Sequence, residues 1–333
     1  MPSSVRRRGG VVDADSRSGR VAALLAVLAV VAAVPGAAQA RIPIRVGIGD
    51  QSITMFDQPA FQRARFERVR FFVPWNIMDN PGQLTAATQF VAKARANRFS
   101  ILLHVSTDNY TIRKAKLPSV AAYRSKVGRL VRYFRALGVQ DFGAWNEANH
   151  ASQPTYRSPT RAADFFREMY RMVKIPCPSC GVVALDVLDQ TGVERYMRTF
   201  FGHLSATFRR RATIVGIHNY GDVNRQRRPT FTRSIIREAH RYNSTARFWF
   251  TETGGIVKFG RSFPCNTTRA AHRINTMFSL ARTYRTSGVQ RLYVYNWTGA
   301  GCSARFDAGL TAPNGQTRAG YDTLRRQLVN YER

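Results

Sequence analysis

Between residues 41 and 330, two hydrophobic rhythms take turns. Short apolar runs of strand length occur at 42–48, 69–73, 99–105, 139–147, 182–187, 212–218, 248–252 and 292–296. Between them lie longer stretches with apolar residues at helical spacing, at 59–67, 83–97, 118–137, 159–173, 192–204, 231–242, 268–286 and 318–330. Period-2 or fully apolar runs of this length read as strands and the 3.6-residue period reads as helix. Gly138 and Gly288 stand where helix C-terminal caps belong, and Ser158 where an N-cap belongs. Each of the two glycines opens a Gly-Val-Gln triplet that leads from a helix into a strand, a local echo of one repeated unit.

Eight strands alternating with eight helices, with strands apolar enough to be covered on their outer face, predict a single-domain α/β fold of the (β/α)8 TIM-barrel type over residues 41–333. A doubly wound sheet is the other architecture with this rhythm. It is disfavoured because no Gly-rich phosphate loop follows the first strand.

The first forty residues do not share the rhythm. Arg6, Arg7, Arg8, Arg17 and Arg20 precede the apolar run Val21–Val34; Pro35-Gly36 breaks that run, and Ala38-Gln39-Ala40 reads as a cleavage site. This is the layout of an export signal cut after Ala40, and a fourteen-residue apolar run is short for a membrane span. The paired arginines also permit twin-arginine export. A secreted, bacterial protein of 293 residues is expected.

Charge alters the picture less than its size suggests. The full chain carries a formal net charge of +31, and residues 41–333 hold 46 Lys and Arg against 18 Asp and Glu, a net +28. Such a field favours polyanions. The arginines are nevertheless scattered over nearly every helix, and Arg209-Arg210-Arg211 is the densest run. No specific nucleic-acid partner is expected, and an anionic cell envelope is retained as a partner. The chain is expected to act as a monomer.

Cys177, Cys180, Cys265 and Cys302 make an even count in an exported chain. Disulfides Cys177–Cys180 and Cys265–Cys302 are expected, although four cysteines allow three connectivities. The second would link the loops after the seventh and eighth strands, which are neighbours in a barrel. A four-cysteine zinc site lacks its second C-x-x-C.

The chemistry sits at the strand ends. Phe142-Gly-Ala-Trp145 stops at Asn146-Glu147, and Arg247–Thr251 stops at Glu252. Barrels present their sites where strands run into loops, and glycoside hydrolysis needs two such carboxylates, one as acid/base and one as nucleophile. The nucleophile must stay ionised, which a neighbouring arginine and a tyrosine donor favour. The acid must hold a proton, which apolar or negative surroundings favour; Trp145 and the nucleophile could supply these. An aromatic face suits the C–H face of a sugar.

Taken in order, the strand ends carry Arg70, His104, Asn146, Glu147, His218, Tyr220, Glu252 and Trp297. With W-N-E-x-N at 145–149 and T-E-T-G-G at 251–255, this set resembles the clan A glycoside hydrolases, particularly family 5, and the strand-seven stretch is similar to family 39. The resemblance covers nearly all of 41–330. It implies that Glu147 is the acid/base and Glu252 the nucleophile. Asn146 would bond the sugar 2-hydroxyl, and Tyr220 and Arg70 would touch the nucleophile. His104 and His218 would line the −1 subsite, and Trp297 would be its sugar platform. Trp75, Trp145 and Trp249 read as packing residues, and Asp186 and Asp189 as loop caps, with substrate binding the alternative for the two aspartates.

The expected activity is therefore retaining hydrolysis of β-glycosidic bonds in an extracellular poly- or oligosaccharide. The short loops point to an open cleft and endo action, and no cofactor or metal is implied. Two other readings stay open. One is a non-catalytic wall-glycan binder. The other is a metal-dependent barrel hydrolase using His104, His218, Asp189 and a glutamate, which lacks H-x-H or H-E-x-x-H spacing.

Overall fold

The computed structural model describes residues 41–111, 114–225 and 230–332. The expected export segment, residues 1–40, lies outside them. The described chain forms the (β/α)8 barrel that the hydrophobic rhythm predicts. Its strands are β1 (Ile42–Gly49), β2 (Arg68–Pro74), β3 (Ser100–Ser106), β4 (Asp141–Gly143), β5 (Gly181–Leu188), β6 (Ile214–His218), β7 (Arg247–Thr253) and β8 (Val289–Tyr295). All neighbours pair in parallel, and β8 pairs with both β7 and β1, which closes the sheet. A short strand, Tyr331–Glu332, adds to the start of β1.

The crossovers are helical. They carry α1 (Pro59–Ala64), α2 (Pro81–Ala96), α3 (Val120–Ala136), α4 (Pro159–Lys174), α5 (Val193–His203) and α6 (Ala206–Arg211). The short turn α7 (Tyr220–Asn224), α8 (Phe231–Tyr242), α9 (Thr267–Thr283) and α10 (Ala319–Leu328) complete the set. Gly138 (φ 94°) and Gly288 (φ 101°) adopt the left-handed conformation expected of a helix end. Ser158 sits at the N-cap of α4, but its side chain makes no capping bond. Asn80, Ser119, Ser205 and Asn266 cap α2, α3, α6 and α9.

The sheet's two faces bury different chemistry. In β2, Val69, Phe71 and Val73 point outward into the main core between strands and helices. The alternate residues Arg68, Arg70 and Phe72 point inward, as the period of 2 requires. Low in the barrel, Leu102, Val183, Trp249 and Tyr293 form a small separate cluster. There Arg291 lies 3.6 Å over the Trp249 ring and 2.5 Å from Asp141. The upper interior is polar and charged, and it is the floor of the site.

Two loops depart from expectation. β4 stops at Gly143 rather than running to Glu147. Beyond it the chain still borrows neighbours irregularly: Ala144 N–H donates to the Val183 carbonyl, Asn146 N–H to that of Val105 and Ala148 N–H to that of Asp186. The loops after β7 and β8 meet in a small antiparallel hairpin of Lys258–Phe259 with Phe306–Asp307. Both expected disulfides are present, and Cys265–Cys302 ties together the two loops that form that hairpin. Among the described residues, no helix is long and apolar enough to cross a membrane.

Candidate active site

Glu147 stands in the irregular stretch after β4 with φ 46°, a left-handed conformation that a non-glycine residue adopts at a cost of roughly 1–3 kcal/mol. The backbone bonds of Asn146 and Ala148 on either side hold it there. Its neighbour Trp145 is buried, stacks on Phe165 and donates to Gln153, so it anchors the turn.

Glu252 lies near the end of β7, in register with His218 on β6. Arg70 reaches it across the barrel, donating from Nη1 to Oε2 at 2.7 Å. The Tyr220 hydroxyl donates to the other oxygen, Oε1, at 3.2 Å. Burial and the nearby Glu252 charge push the Tyr220 phenol well up, so it remains a donor. Arg70 also donates from Nε to His104 Nδ1 at 3.2 Å and from Nη2 to the side-chain oxygen Oδ1 of Asn146. One oxygen of Glu147, one of Glu252 and one ring nitrogen of His218 lie within 4.8 Å of one another.

Beneath these residues is Asp186, fully buried on β5. Its carboxylate is 2.9 Å from His218 Nε2, 3.5 Å from His104 Nε2 and 3.7 Å from Arg70 Nη2. It also accepts a bond from the Thr251 hydroxyl. Two glycines make the room. A Cβ at Gly216 would fall 1.9 Å from Asp186 Oδ1, and one at Gly143 1.9 Å from the His104 ring. The sequence reading placed Asp186 among the loop caps. That role belongs to Asp189, which accepts from the backbone N–H groups of Gly221 and Asp222.

Charge follows this geometry. Burial works to lower the pKa of His218, but the Asp186 and Glu252 carboxylates outweigh it and raise it to about 10. Burial dominates at His104 and, helped by Arg70 and His218, lowers its pKa to about 3 despite Asp186. Burial acts to raise Asp186, yet His218, His104 and Arg70 hold it well below the usual carboxylate range. For Glu147 too burial acts upward, but its bond with His218 wins and the net shift is downward.

Above the carboxylates lies a cavity of about 360 Å³ lined by Asn146, Glu147, His150, Tyr220, Glu252 and the rings of Phe72, Tyr110, Tyr295, Phe259 and Phe306, with Arg305 at its edge. It adjoins a second cavity of about 350 Å³ that continues over Tyr220 toward Phe231 and Phe263. Tyr110 is 54% exposed and offers an open ring face.

The structure corrects three sequence expectations about this cleft. Trp297 is not a platform. It is fully buried, edge-on to Phe61 and Tyr321, and donates to Gln58 at 2.7 Å, because the chain after β8 turns down toward α1 and α10. His104 and His218 are likewise fully buried, beneath the glutamates rather than along the wall. Of the other rings that line the cleft, Phe72 and Tyr295 lie on β2 and β8, and Tyr110, Phe259 and Phe306 come from loops with no strand-end signature. An aromatic after β3 or in a rim hairpin carries no motif that would single it out.

A shared metal site for His104, His218 and Asp189 is not formed. Both histidines turn a ring nitrogen toward Asp186, and Asp189 serves the Gly221–Asp222 backbone. The cluster of Glu147, His218 and Glu252 already has the Arg70 guanidinium 2.7 Å from Glu252, so a cation there would sit against a fixed positive charge.

No family model and no curated protein sequence matches the chain. Solved structures do. A family 39 glycoside hydrolase from Bacteroides cellulosilyticus superposes with a TM-score of 0.59 at 16% identity over 86% of this chain and 64% of its own. The GH39 enzyme from Xanthomonas axonopodis pv. citri gives 0.61 at 15% identity over 88% and 68%, respectively. A glucosidase from Croceicoccus marinus gives 0.64 at 13% identity over 87% and 68%. This chain thus spans about two thirds of the length of each. At such identities the likeness is one of fold, and the fold this chain shares is the eight-stranded parallel barrel of these glycoside hydrolases.

Proposed function

We propose that the protein is a retaining glycoside hydrolase that cleaves β-glycosidic bonds of a poly- or oligosaccharide, with Glu252 as nucleophile and Glu147 as acid/base. The observation that carries this is the approach of the two carboxylates to within 4.8 Å. Retaining enzymes place these groups roughly 5–5.5 Å apart, and inverting enzymes leave a wider gap for water. The two carboxylates have different surroundings, and those of Glu147 hold it ionised rather than protonated as the sequence led one to expect. Arg70 and Tyr220 hold both oxygens of Glu252 in place for attack, while Glu147, beside His218 and His150, faces the cleft. With its oxygen bonded by Arg70, Asn146 has its amide N–H free to bind a sugar hydroxyl.

In the first step a Glu252 oxygen bonds to the anomeric carbon as Glu147 protonates the departing oxygen. In the second step water, deprotonated by Glu147, displaces Glu252. The adjoining cavities, open over Tyr220, suit a chain running past the carboxylates and hence internal cleavage. Two disulfides and the export-like leader support action outside the cell, where the positive charge would favour an anionic envelope. The likeness of fold to glycoside hydrolases agrees with this reading.

The test is intact-mass spectrometry after incubation with 2-fluoro glycosyl fluorides of several sugars. The expected result is a mass increment mapped to Glu252 and absent from Glu252→Gln. Polysaccharide hydrolysis by a wild-type protein that forms no adduct with its own sugar's probe would point to inversion. Glycan binding without hydrolysis would point to a binding module.

A further inference from the structure

Asp186 has no place in the two-carboxylate mechanism, yet the cations of the site converge on it. Burying a carboxylate costs several kcal/mol and the ion pairs formed seldom return a net gain, so stability alone does not account for it. Its geometry gives another reason. Asp186 Oδ2 lies 2.9 Å from Nε2 of His218, and a nitrogen that close to an ionised carboxylate carries a hydrogen. The His218 ring is thereby fixed with Nδ1 toward Glu147, 3.2 Å from Oε1.

A hydrogen bond between Nδ1 and Oε1 needs one proton, and there are two places for it. Either His218 is an imidazolium beside ionised Glu147, or His218 is neutral beside a protonated Glu147. In both forms Nε2–H stays on Asp186. Taken together, the groups facing His218 favour keeping that proton: the carboxylates of Glu147 from the β4 loop, Asp186 from β5 and Glu252 from β7 at 3.7 Å outweigh the Arg70 guanidinium from β2 at 3.2 Å, and His104 from β3 is neutral. Without the shared proton, three carboxylates would face Arg70 alone.

We propose that Asp186 is a positioning residue: it holds His218 with Nε2–H toward itself and Nδ1 toward Glu147, so that the His218–Glu147 pair stores the proton that the leaving group takes up. This inference rests on the glycosidase reading above. It accounts for a general acid that is ionised at rest. The proton waits on Nδ1 and passes to Glu147 and then to the glycosidic oxygen. The C–O electron pair goes to that oxygen while Glu252 bonds to the anomeric carbon. His218 is left neutral and Glu147 ionised. In the second half, the attacking water returns its proton to the pair as its oxygen bonds to carbon and Glu252 departs.

The experiment is a pH titration of ¹⁵N-histidine-labelled full-length protein by ¹H–¹⁵N NMR without substrate, for wild type and Asp186→Asn. The expected result is a wild-type His218 ring with hydrogen on both nitrogens at pH 8, and a titration at least one pH unit lower in Asp186→Asn. A wild-type ring that titrates near 6.5 would overturn the proposal, and this decides the matter even if Asp186→Asn fails to fold. Kinetics give the second arm. Asp186→Asn should lower kcat/KM about 100-fold for glycosides with poor leaving groups and under about tenfold for dinitrophenyl glycosides, which need no acid. Equal losses for both would mean that Asp186 only supports the fold, and would also overturn it. A wild type that turns over no glycoside would sink the glycosidase reading, and the NMR arm would still decide the role of Asp186.

Discussion

Arg70 and Glu252 are 182 residues apart in the chain and 2.7 Å apart in the barrel, joined by a bond that spans the interior from β2 to β7. Arg70 is fully buried and also serves His104 and Asn146, so one guanidinium sets the position of three site residues. The planar five-donor fork makes this possible, and a lysine has no equivalent. Arg70→Lys should therefore lower kcat/KM by about 100-fold or more. Leaving part of a buried ionic cluster unpaired should also cost about 3–5 kcal/mol of stability. Steady-state kinetics and urea unfolding check the two parts.

Gly216 should be intolerant of a single methyl group. Its Cβ would fall 1.9 Å from Asp186 Oδ1 and 2.8 Å from the Thr251 hydroxyl. Gly216→Ala should displace Asp186 and lower activity at least tenfold, although the residue itself touches no substrate. Activity equal to wild type would show that the Asp186 position is unimportant.

The most exposed ring lining the cleft is Tyr110, and Trp297 is buried. Tyr110→Ala should raise KM about five- to tenfold with kcat nearly unchanged, corresponding to about 1 kcal/mol of stacking. Trp297→Phe should leave KM unchanged. It should lower stability by about 1–2 kcal/mol through loss of the Gln58 bond and of packing against Phe61 and Tyr321.

The Cys265–Cys302 bridge closes a loop of 37 residues across the rim. Replacing both cysteines by serine should cost about 2–4 kcal/mol and loosen the hairpin that carries Phe259 and Phe306 into the cleft. The Cys177–Cys180 bridge closes a very short loop, so its removal should cost less. Thermal unfolding of the two double variants tests the order.

Stability should fall on both sides of about pH 6.5, for opposite reasons. The pKa of His218 is raised from 6.5 to about 10, so its contribution is complete below pH 6.5 and is lost as pH rises toward 10. His104 is held neutral, its pKa lowered to about 3, so the unfolded chain binds a proton that the folded one refuses. Stability is lost as pH falls from 6.5 toward 3. Denaturant midpoints from pH 4 to 9.5 check this, and His218→Asn should flatten the alkaline side.

The sequence by itself determined the barrel and most of the residues that meet at the candidate site. The alternation of apolar strand runs with 3.6-period helices leaves few folds to choose from, and in a barrel each strand end is a site position. Glu147 and Glu252 were legible because each ends an apolar run abruptly. The expected Cys177–Cys180 bridge came from the C-P-S-C pair, and Cys265–Cys302 from loops that are neighbours in a barrel. What the linear pattern could not carry was depth. Asp186 and Asp189 look alike at the end of β5, and only the pleat and the missing side chain at Gly216 send the first inward to His218. Trp297 and Tyr110 are both aromatics after strands, and only the course of the following loops decides which is packed and which is open. The proton between His218 and Glu147 is likewise a tertiary property. It depends on charges brought together from β2, the β4 loop, β5 and β7, and no stretch of sequence contains them all.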